Sequence, residues 1–544
     1  VIALGLNGFA GADHDASAAV VIDGLLVAAV EEERLNHRRH APGDRPVLAV
    51  PEALRIAGIE PADVDVVCHG WRPEALGLGL DEASEGEAIR QALVEFGVSL
   101  RRDTQVRFVD HHLAHFWSAV PFLPPDADRR AIDGLIVDGA GESTSGALYR
   151  LRGGDPQKIW NLGIAGSLGL LYEAATAAIG FAPGNEGKTM GLASYGRPQT
   201  MDSVPAPADD RFAGPIPRLA DRGEIKRQHR SLVLRMKAMA GQAASFNRRA
   251  DLALGMQSAV QERIMSFLAE IADPAATLIM AGGVALNCSI NATVADWCLR
   301  RGATLTIPPP ANDGGISIGA AVSVSDSPEW CRAETAFLGR GYEPGEIITR
   351  LAALGASATE MSAGELCDGL LERDLVCGWF EGRAEVGPRA LGKRAVLARA
   401  DSVRVRDRLN VIKGRESWRP LAPSVLPGEF RSSFTGVPSA YMLINCEATA
   451  SALRPLAGVI HVDSTARPQV VDHDLAAGPY ADVLNEMKKR TGHAAITCTS
   501  FNVGGQPIVY TPEDAYAAAM AMGLDLLAGD GWCVRVPRAA SGRP

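Results

Sequence analysis

The apolar positions of the first 35 residues fall into three runs separated by polar breaks. Val1–Leu6, Ala16–Ile22 and Leu25–Glu31 each read as a strand, and Asp23-Gly24 is the dipeptide of a two-residue hairpin turn. The same plan returns at 131–152: a strand over Ile132–Val137, a polar loop over Asp138–Ser145, a strand over Gly146–Leu151, then Gly153-Gly154. In each copy a glycine-bearing polar loop separates the first two strands. Two copies of one unit predict a duplicated α/β fold with a cleft between its halves. Between the copies the period becomes helical over Pro51–Gly58 and Glu85–Phe96, followed by a strand at Val106–Val109 and a helix that begins at the histidines 111–115. Ala250–Ile271 reads as a long helix, and Thr277–Ala281 and Ala303–Ile307 as strands. The polar stretch 200–232 predicts a surface excursion or mobile loop. Gly- and Pro-bearing breaks between 325 and 345 divide the chain into a domain over 1–335 and a second α/β domain over 336–544. Within the second, 494–509 predicts strand, polar loop, strand.

Composition narrows the class. The 544 residues are 47% hydrophobic and 22% charged, as in a folded protein of more than one domain. A net charge of −10 argues against a nucleic-acid or membrane-surface partner, since both need a basic face. Nine scattered cysteines without a CxxC pair argue against a disulfide framework. Val-Ile-Ala-Leu-Gly-Leu reads as a strand, not a targeting segment, and no apolar run reaches membrane-spanning length. The expectation is a cytoplasmic enzyme; a homodimer is compatible with it.

Three short segments carry the first candidate chemistry: His111-His112-Leu113-Ala114-His115, Asp138-Gly139-Ala140-Gly141-Glu142 and Asn312-Asp313-Gly314-Gly315. His111 and His115 are four apart and share one helix face; His112, three from His115, is the competing partner. Two imidazoles with Asp138 and Asp313 make a first shell for a borderline divalent cation, and ligand type alone permits Mn(II) or Zn(II). Glycines beside the carboxylates let backbone amides approach phosphate, as do Gly282-Gly283 after the Thr277–Ala281 strand. His14, in Asp13-His14-Asp15, is a candidate general base: imidazole titrates near neutrality, and an adjacent carboxylate can orient it. Arg389, Lys393, Arg394, Lys413, Arg415 and Arg419 form a basic run interleaved with Gly, Pro and Trp418, unlike a solvated helix face, and suit phosphate binding. Ser143, Thr144 and Ser145 lack a nucleophile elbow, so no hydrolase triad is assigned.

Several compound motifs then resemble a known family. Glu381-Gly-Arg-Ala-Glu-Val-Gly-Pro-Arg-Ala-Leu-Gly-Lys-Arg394, Arg415-Glu-Ser-Trp-Arg-Pro-Leu-Ala-Pro-Ser424, His461-Val-Asp-Ser-Thr-Ala-Arg467 and Thr499-Ser-Phe-Asn-Val-Gly-Gly-Gln-Pro507 resemble the O-carbamoyltransferases of the nodulation and cephamycin-biosynthesis type. Within that family the chain looks most similar to the aminoglycoside branch of the nebramycin (tobramycin) pathway. The resemblance implies a duplicated actin/sugar-kinase-like (ASKHA) domain followed by a YrdC-like α/β domain. It implies an Fe(II) ion on His111, His115, Asp138 and Asp313, and favours His111 over His112 because the family's motif has the four-residue spacing. Gly139, Gly141, Gly282, Gly283, Asn287 and Gly314 are then expected at the nucleotide, with Glu173, Gly184 and the segment 185–191 as weaker candidates. In the second domain the resemblance implies that ATP, with Mg²⁺, and carbamoyl phosphate meet Arg389, Arg394, Arg415, Arg467, Ser500 and Asn502, with Lys413 and Arg419 as the catalytic cations. The implied product is carbamoyladenylate, from which an aminoglycoside hydroxyl takes the carbamoyl group with His14 as base. Gln506 stands where relatives often carry a Gly-Glu element, so no carboxylate role is assigned there.

The alternatives are transfer to another small-molecule hydroxyl, threonylcarbamoylation of tRNA and a non-catalytic ATP-binding regulator. The acidic charge weighs against tRNA. A hydrogenase-maturation protein is excluded by the absence of paired-Cys zinc motifs.

Overall fold

The first strand, β1 (Ile2–Asn7), is buried along nearly its whole length. It pairs antiparallel with β2 (Ser17–Ile22), which pairs antiparallel with β3 (Leu25–Glu31). Asp23 and Gly24 both have positive φ, 47° and 79°, the pattern that matches the twist of a tight hairpin. On its other side β1 pairs parallel with β4 (Val66–His69), and β4 parallel with β5 (Gln105–Phe108), giving the order β3-β2-β1-β4-β5.

A second sheet repeats this arrangement strand for strand. β6 (Ala131–Val137) and β7 (Thr144–Arg152) are antiparallel, as are β7 and β8 (Gln157–Gly163). β6 then pairs parallel with β10 (Thr277–Ala281), and β10 parallel with β11 (Leu305–Thr306). With the short edge strand β9 (Arg211–Phe212), the order is β11-β10-β6-β7-β8-β9. The duplication seen as a repeated hydrophobic pattern is therefore a duplication of topology in an α/β structure of mixed sheets.

Two helices fill the space behind these strands: His111–Ala119 and Ile316–Ser323. They approach so closely that a Cβ at Gly319 would lie 1.8 Å from the carbonyl oxygen of Ala114. Glycine is required there by backbone contact. The approach brings the histidine helix to the Asp313 turn that precedes its partner.

The chain divides into two compact units, residues 1–32 with 40–333, and residues 33–39 with 334 onward. The structure describes residues 1–198, 210–212, 222–240, 245–271, 277–471 and 478–537. Much of the polar stretch 200–232 lies outside these. Its described end belongs to a helix, Arg222–Ala240, rather than to a loop. No helix among the described residues is long and apolar enough to cross a membrane.

The second unit holds an eight-stranded mixed sheet in the order Ala358–Glu360, Trp532–Arg535, Leu526–Gly529, Cys377–Phe380, Arg394–Ala398, Ala495–Ser500, Ala422–Val425, Gln469–Val470. Phe380, Tyr480, Phe501 and Trp532 are buried in it. The second strand expected by residue 509 does not form. Pro507 has no N–H to give a ladder, and the segment returns to the sheet region only through Val509 N to Phe501 O, 2.9 Å. Residues 33–39 join this unit through Arg34, whose buried guanidinium donates to Gly387 O at 2.6 Å.

Candidate metal and anion sites

The histidine helix starts where it does because Asp110 caps it. The Asp110 carboxylate accepts the Leu113 N–H at 3.0 Å, and also Tyr149 Oη–H at 2.9 Å and Lys158 Nζ at 3.0 Å. Glu142, buried, accepts the His111 N–H at 2.9 Å and the Arg72 N–H at 3.1 Å. The first turn is thus pinned from two sides.

From that turn His111 and His115 project together, their ring centroids 4.7 Å apart. His111 Nε2 lies 3.1 Å from Asp138 Oδ2 and 3.7 Å from Asp313 Oδ1. His115 Nε2 lies 3.4 Å from each of the same two oxygens. All four side chains are buried, and one ligand atom from each falls within 4.8 Å of the others. His112 takes no part. Its Nδ1 meets Thr144 Oγ1 at 3.2 Å, and burial, with the charge of His111, pushes its pKa down to about 3.

Electrostatics show what this quartet lacks. Burial alone would lower the His115 pKa, yet the bonds to Asp138 and Asp313 raise it to about 9. Asp138 is held well below the usual carboxylate range by His111 and His115, against the effect of its own burial. Buried carboxylates are thus balanced by the His115 imidazole, whose Nδ1 finds no hydrogen-bond partner. Two imidazoles and two carboxylate oxygens fit a divalent cation of borderline softness, and the quartet can hold one.

The loops around the quartet place the other first-unit candidates. Gly283 N–H donates to Asp138 Oδ1 at 3.0 Å, orienting the carboxylate. At Gly282, φ is 91° and a Cβ would sit 2.3 Å from Val137 O, so the turn itself demands glycine. A Cβ at Gly141 would meet the His112 ring at 2.9 Å, and one at Gly314 would meet Glu31 Oε1 at 2.8 Å. Gly139 differs: a Cβ there would find nothing nearer than Leu170 at 4.0 Å, while its carbonyl accepts Ser167 Oγ–H at 2.7 Å and Gly169 packs against its backbone. Asn287 is already engaged. It caps the Cys288–Leu299 helix through Ile290 N–H and exchanges two amide hydrogen bonds with Gln257, at 2.8 and 3.1 Å.

His14 extends from the β1–β2 loop with about half its side chain exposed. Its Nδ1 pairs with Asp15 Oδ2 at 3.1 Å. Burial works against protonation, but Asp15, Asp313 and Asp138 together raise its pKa to about 10. Asp15 also accepts His40 Nδ1 at 2.8 Å and Asn312 Nδ2 at 3.0 Å. Glu173 is near enough for His14 to influence it. Burial and Glu186 hold its carboxyl above the usual range, against His229 and His14. Gly184 lies beside His40: a Cβ there would be 3.6 Å from Nε2.

In the second unit the basic residues separate into two groups. Arg394 is fully buried, stacked 3.7 Å from the Phe380 ring, and its guanidinium donates to the carbonyls of Glu381, Gly382, Lys393 and Arg340. Lys393 pairs with Glu381 at 2.5 Å. Arg394 is thus engaged by the framework around it. The other group gathers like charges, opposed at Arg419 by Glu416. Burial and the charges of Arg419, Arg467, Arg389 and Arg39 push the Arg415 pKa down to about 9. A guanidinium does not give up its proton in a protein, so this depression reads as the cost of partial desolvation together with mutual repulsion. Lys413 is lowered well below its ordinary value by burial, Arg415 and Arg419. Its Nζ donates to Ser500 O, to Asn502 O at 3.0 Å and to Asn502 Oδ1 at 2.8 Å, and Ser500 Oγ–H donates to Asn502 Oδ1 at 2.7 Å. Arg415 Nη1 reaches Thr499 Oγ1 at 3.1 Å. Arg39, contributed by the segment 33–39, was not indicated by any motif.

The carbamoyltransferase N-terminus model matches residues 86–322, and the carbamoyltransferase C-terminus model residues 369–535. Nodulation protein NolNO of Sinorhizobium fredii is 31% identical over 94% of this chain and 77% of its own length. An uncharacterized protein of Synechocystis sp. is 30% identical, covering 94% of each chain. Among solved structures, full-length HypF in a phosphate- and nucleotide-bound form is 12% identical, with a TM-score of 0.31 over 59% of this chain and 54% of that one.

The chain belongs to the carbamoyltransferase family. It is an enzyme, an O-carbamoyltransferase.

Proposed function

We propose that the enzyme couples ATP to the transfer of a carbamoyl group from carbamoyl phosphate to a sugar hydroxyl of an aminoglycoside such as tobramycin or kanamycin. The observation that carries this reading is the cluster of mutually repelling arginines beside the buried Lys413 in the second unit: like charges gathered at one place are stabilised by a polyanion. Carbamoyl phosphate and the ATP triphosphate are such anions.

In this reading the second unit is the YrdC-like activating domain. Water splits carbamoyl phosphate to phosphate and carbamate. A carbamate oxygen attacks the α-phosphorus of ATP, giving carbamoyladenylate and pyrophosphate. Arg389, Arg415, Arg419 and Arg467 stabilise the charge on the transferring phosphoryl groups, with Mg²⁺. Lys413 holds the Ser500–Asn502 loop and exchanges one of its acceptors for a phosphate oxygen.

The first unit, as the ASKHA-type domain, carries out transfer. The acceptor hydroxyl oxygen forms a bond to the carbamoyl carbon, the bond to AMP breaks, and the hydroxyl proton goes to His14. His111, His115, Asp138 and Asp313 would hold Fe(II) or another divalent transition metal, which would supply Lewis-acid chemistry there. Asp138 and Asp313 are two of the carboxylates that raise the His14 pKa, so their neutralisation by a bound cation would bring His14 toward the range of a general base. Glu173 and Glu186, within electrostatic reach of one another, suit a polycationic acceptor. Gly139 and Gly283 offer backbone to the nucleotide.

Mass spectrometry of the purified chain with ATP, Mg²⁺, carbamoyl phosphate and tobramycin, omitting each in turn, tests the reading. AMP together with a carbamoyl mass gain on the antibiotic is expected. AMP and pyrophosphate without a modified antibiotic would move the acceptor to another hydroxyl compound. No ATP turnover by metal-loaded protein would favour the regulator.

A further inference from the structure

Resting on the reading above, in which Asp313 is a metal ligand and His14 the proton acceptor, we infer that Asn7 is a positioning residue that sets both together. Asn7 ends β1 and is fully buried. Its Nδ2 faces three backbone carbonyls: Asp15 O at 2.9 Å, Asp313 O at 3.3 Å and His14 O at 3.4 Å. Its Oδ1 accepts Trp71 Nε1–H at 3.0 Å, and the Trp71 ring lies against His111 with centroids 3.9 Å apart. One amide therefore touches the acceptor-side loop, the turn that carries Asp313 and the ring that backs His111.

A second tie closes the same circuit. Asn312 Nδ2 donates to Asp15 Oδ2 at 3.0 Å, and Asp15 in turn orients His14. Asp15 has φ of 54°, a left-handed conformation that a non-glycine residue keeps only when its surroundings hold it. The loops so joined are 306 residues apart in the chain from Asn7 to Asp313. An asparagine that merely terminated a strand would need bonds only to the strand's own sheet. Here every side-chain partner is in, or packed on, the site. A shift of either loop is passed to the other, so cation affinity and base placement move together.

Two substitutions in the full chain test this. Asn7→Leu keeps the shape and removes every hydrogen bond. Asn312→Ala, at a half-buried position, cuts only the second tie. Three quantities are measured: Mn(II) affinity of chelator-treated protein by calorimetry, acceptor carbamoylation at saturating Mn(II), and the melting curve. Expected for Asn7→Leu is an affinity loss of about 10–100-fold and a transfer rate about 100-fold lower even when metal is saturating. Asn312→Ala moves both in the same direction, by about tenfold. Full recovery of the rate on metal saturation, in a folded variant, would reduce Asn7 to a scaffold residue and overturn the inference. Unchanged Mn(II) affinity in both variants would do the same. If Asn7→Leu does not fold, Asn312→Ala decides. Should the wild-type chain fail to carbamoylate any acceptor, the functional reading is what fails, and the Mn(II) affinities still decide the coupling.

Discussion

The quartet of the first unit and the cluster of the second are electrostatic opposites. In one, buried carboxylates are balanced by imidazole protons, with His115 raised to about 9. In the other, clustered and largely half-buried guanidiniums repel one another, and burial with this repulsion depresses Arg415 to about 9. Each arrangement is costly to fold as it stands, and each is relieved by a ligand of the missing sign. The difference teaches a division of labour. A cation belongs with the residues proposed for transfer, and anions with those proposed for activation.

Breaking the cation side should have the largest effect. Asp138→Asn removes a carboxylate that faces both histidines, and we expect loss of bound metal with transfer reduced by more than about 100-fold. Metal analysis beside the transfer assay checks it. On the anion side, Arg419→Gln should lower carbamoyl-phosphate-dependent pyrophosphate release by about 100- to 1,000-fold, and Arg419→Lys should not restore it, because lysine lacks the planar fork. Steady-state kinetics in carbamoyl phosphate reads both. The adjacent histidines sharpen the contrast within one helix turn. His112→Asn should stay metal-loaded and lose only about 1 kcal/mol of stability with its bond to Thr144, whereas His111→Asn should lose the metal. Smallest is a shift in melting temperature. Inorganic pyrophosphate at about 100 times its Kd should stabilise the protein by about 2.7 kcal/mol, and this shift should vanish in Arg419→Gln yet persist in Asp138→Asn.

Much of the first unit was legible because its signals are periodic. The alternation of β1–β3, the Asp23-Gly24 turn and their recurrence at 131–152 anticipate a topology that then repeats strand for strand. The i, i+4 spacing of His111 and His115 likewise needs only helix geometry. What escaped was solitary or non-local. Asn7 and Trp71 are single polar and aromatic residues at strand ends, with no period to mark them. Arg39 lies in seven residues that fold with the second unit although the chain on both sides belongs to the first. Arg394 shares a basic run with site candidates, and only burial under backbone carbonyls distinguishes it. The strand expected near residue 509 failed because apolar alternation does not reveal a missing Pro507 donor partner.

The central claim is that the cation site serves transfer and the anion site serves activation. It is tested most directly by stripping the transition metal with a chelator, restoring Mg²⁺, and following pyrophosphate release and acceptor carbamoylation in one reaction. The account predicts pyrophosphate release near the untreated rate, with carbamoylation down by more than about 100-fold and recovered on adding Fe(II). Loss of both activities together, or carbamoylation that continues in metal-free protein, would contradict it.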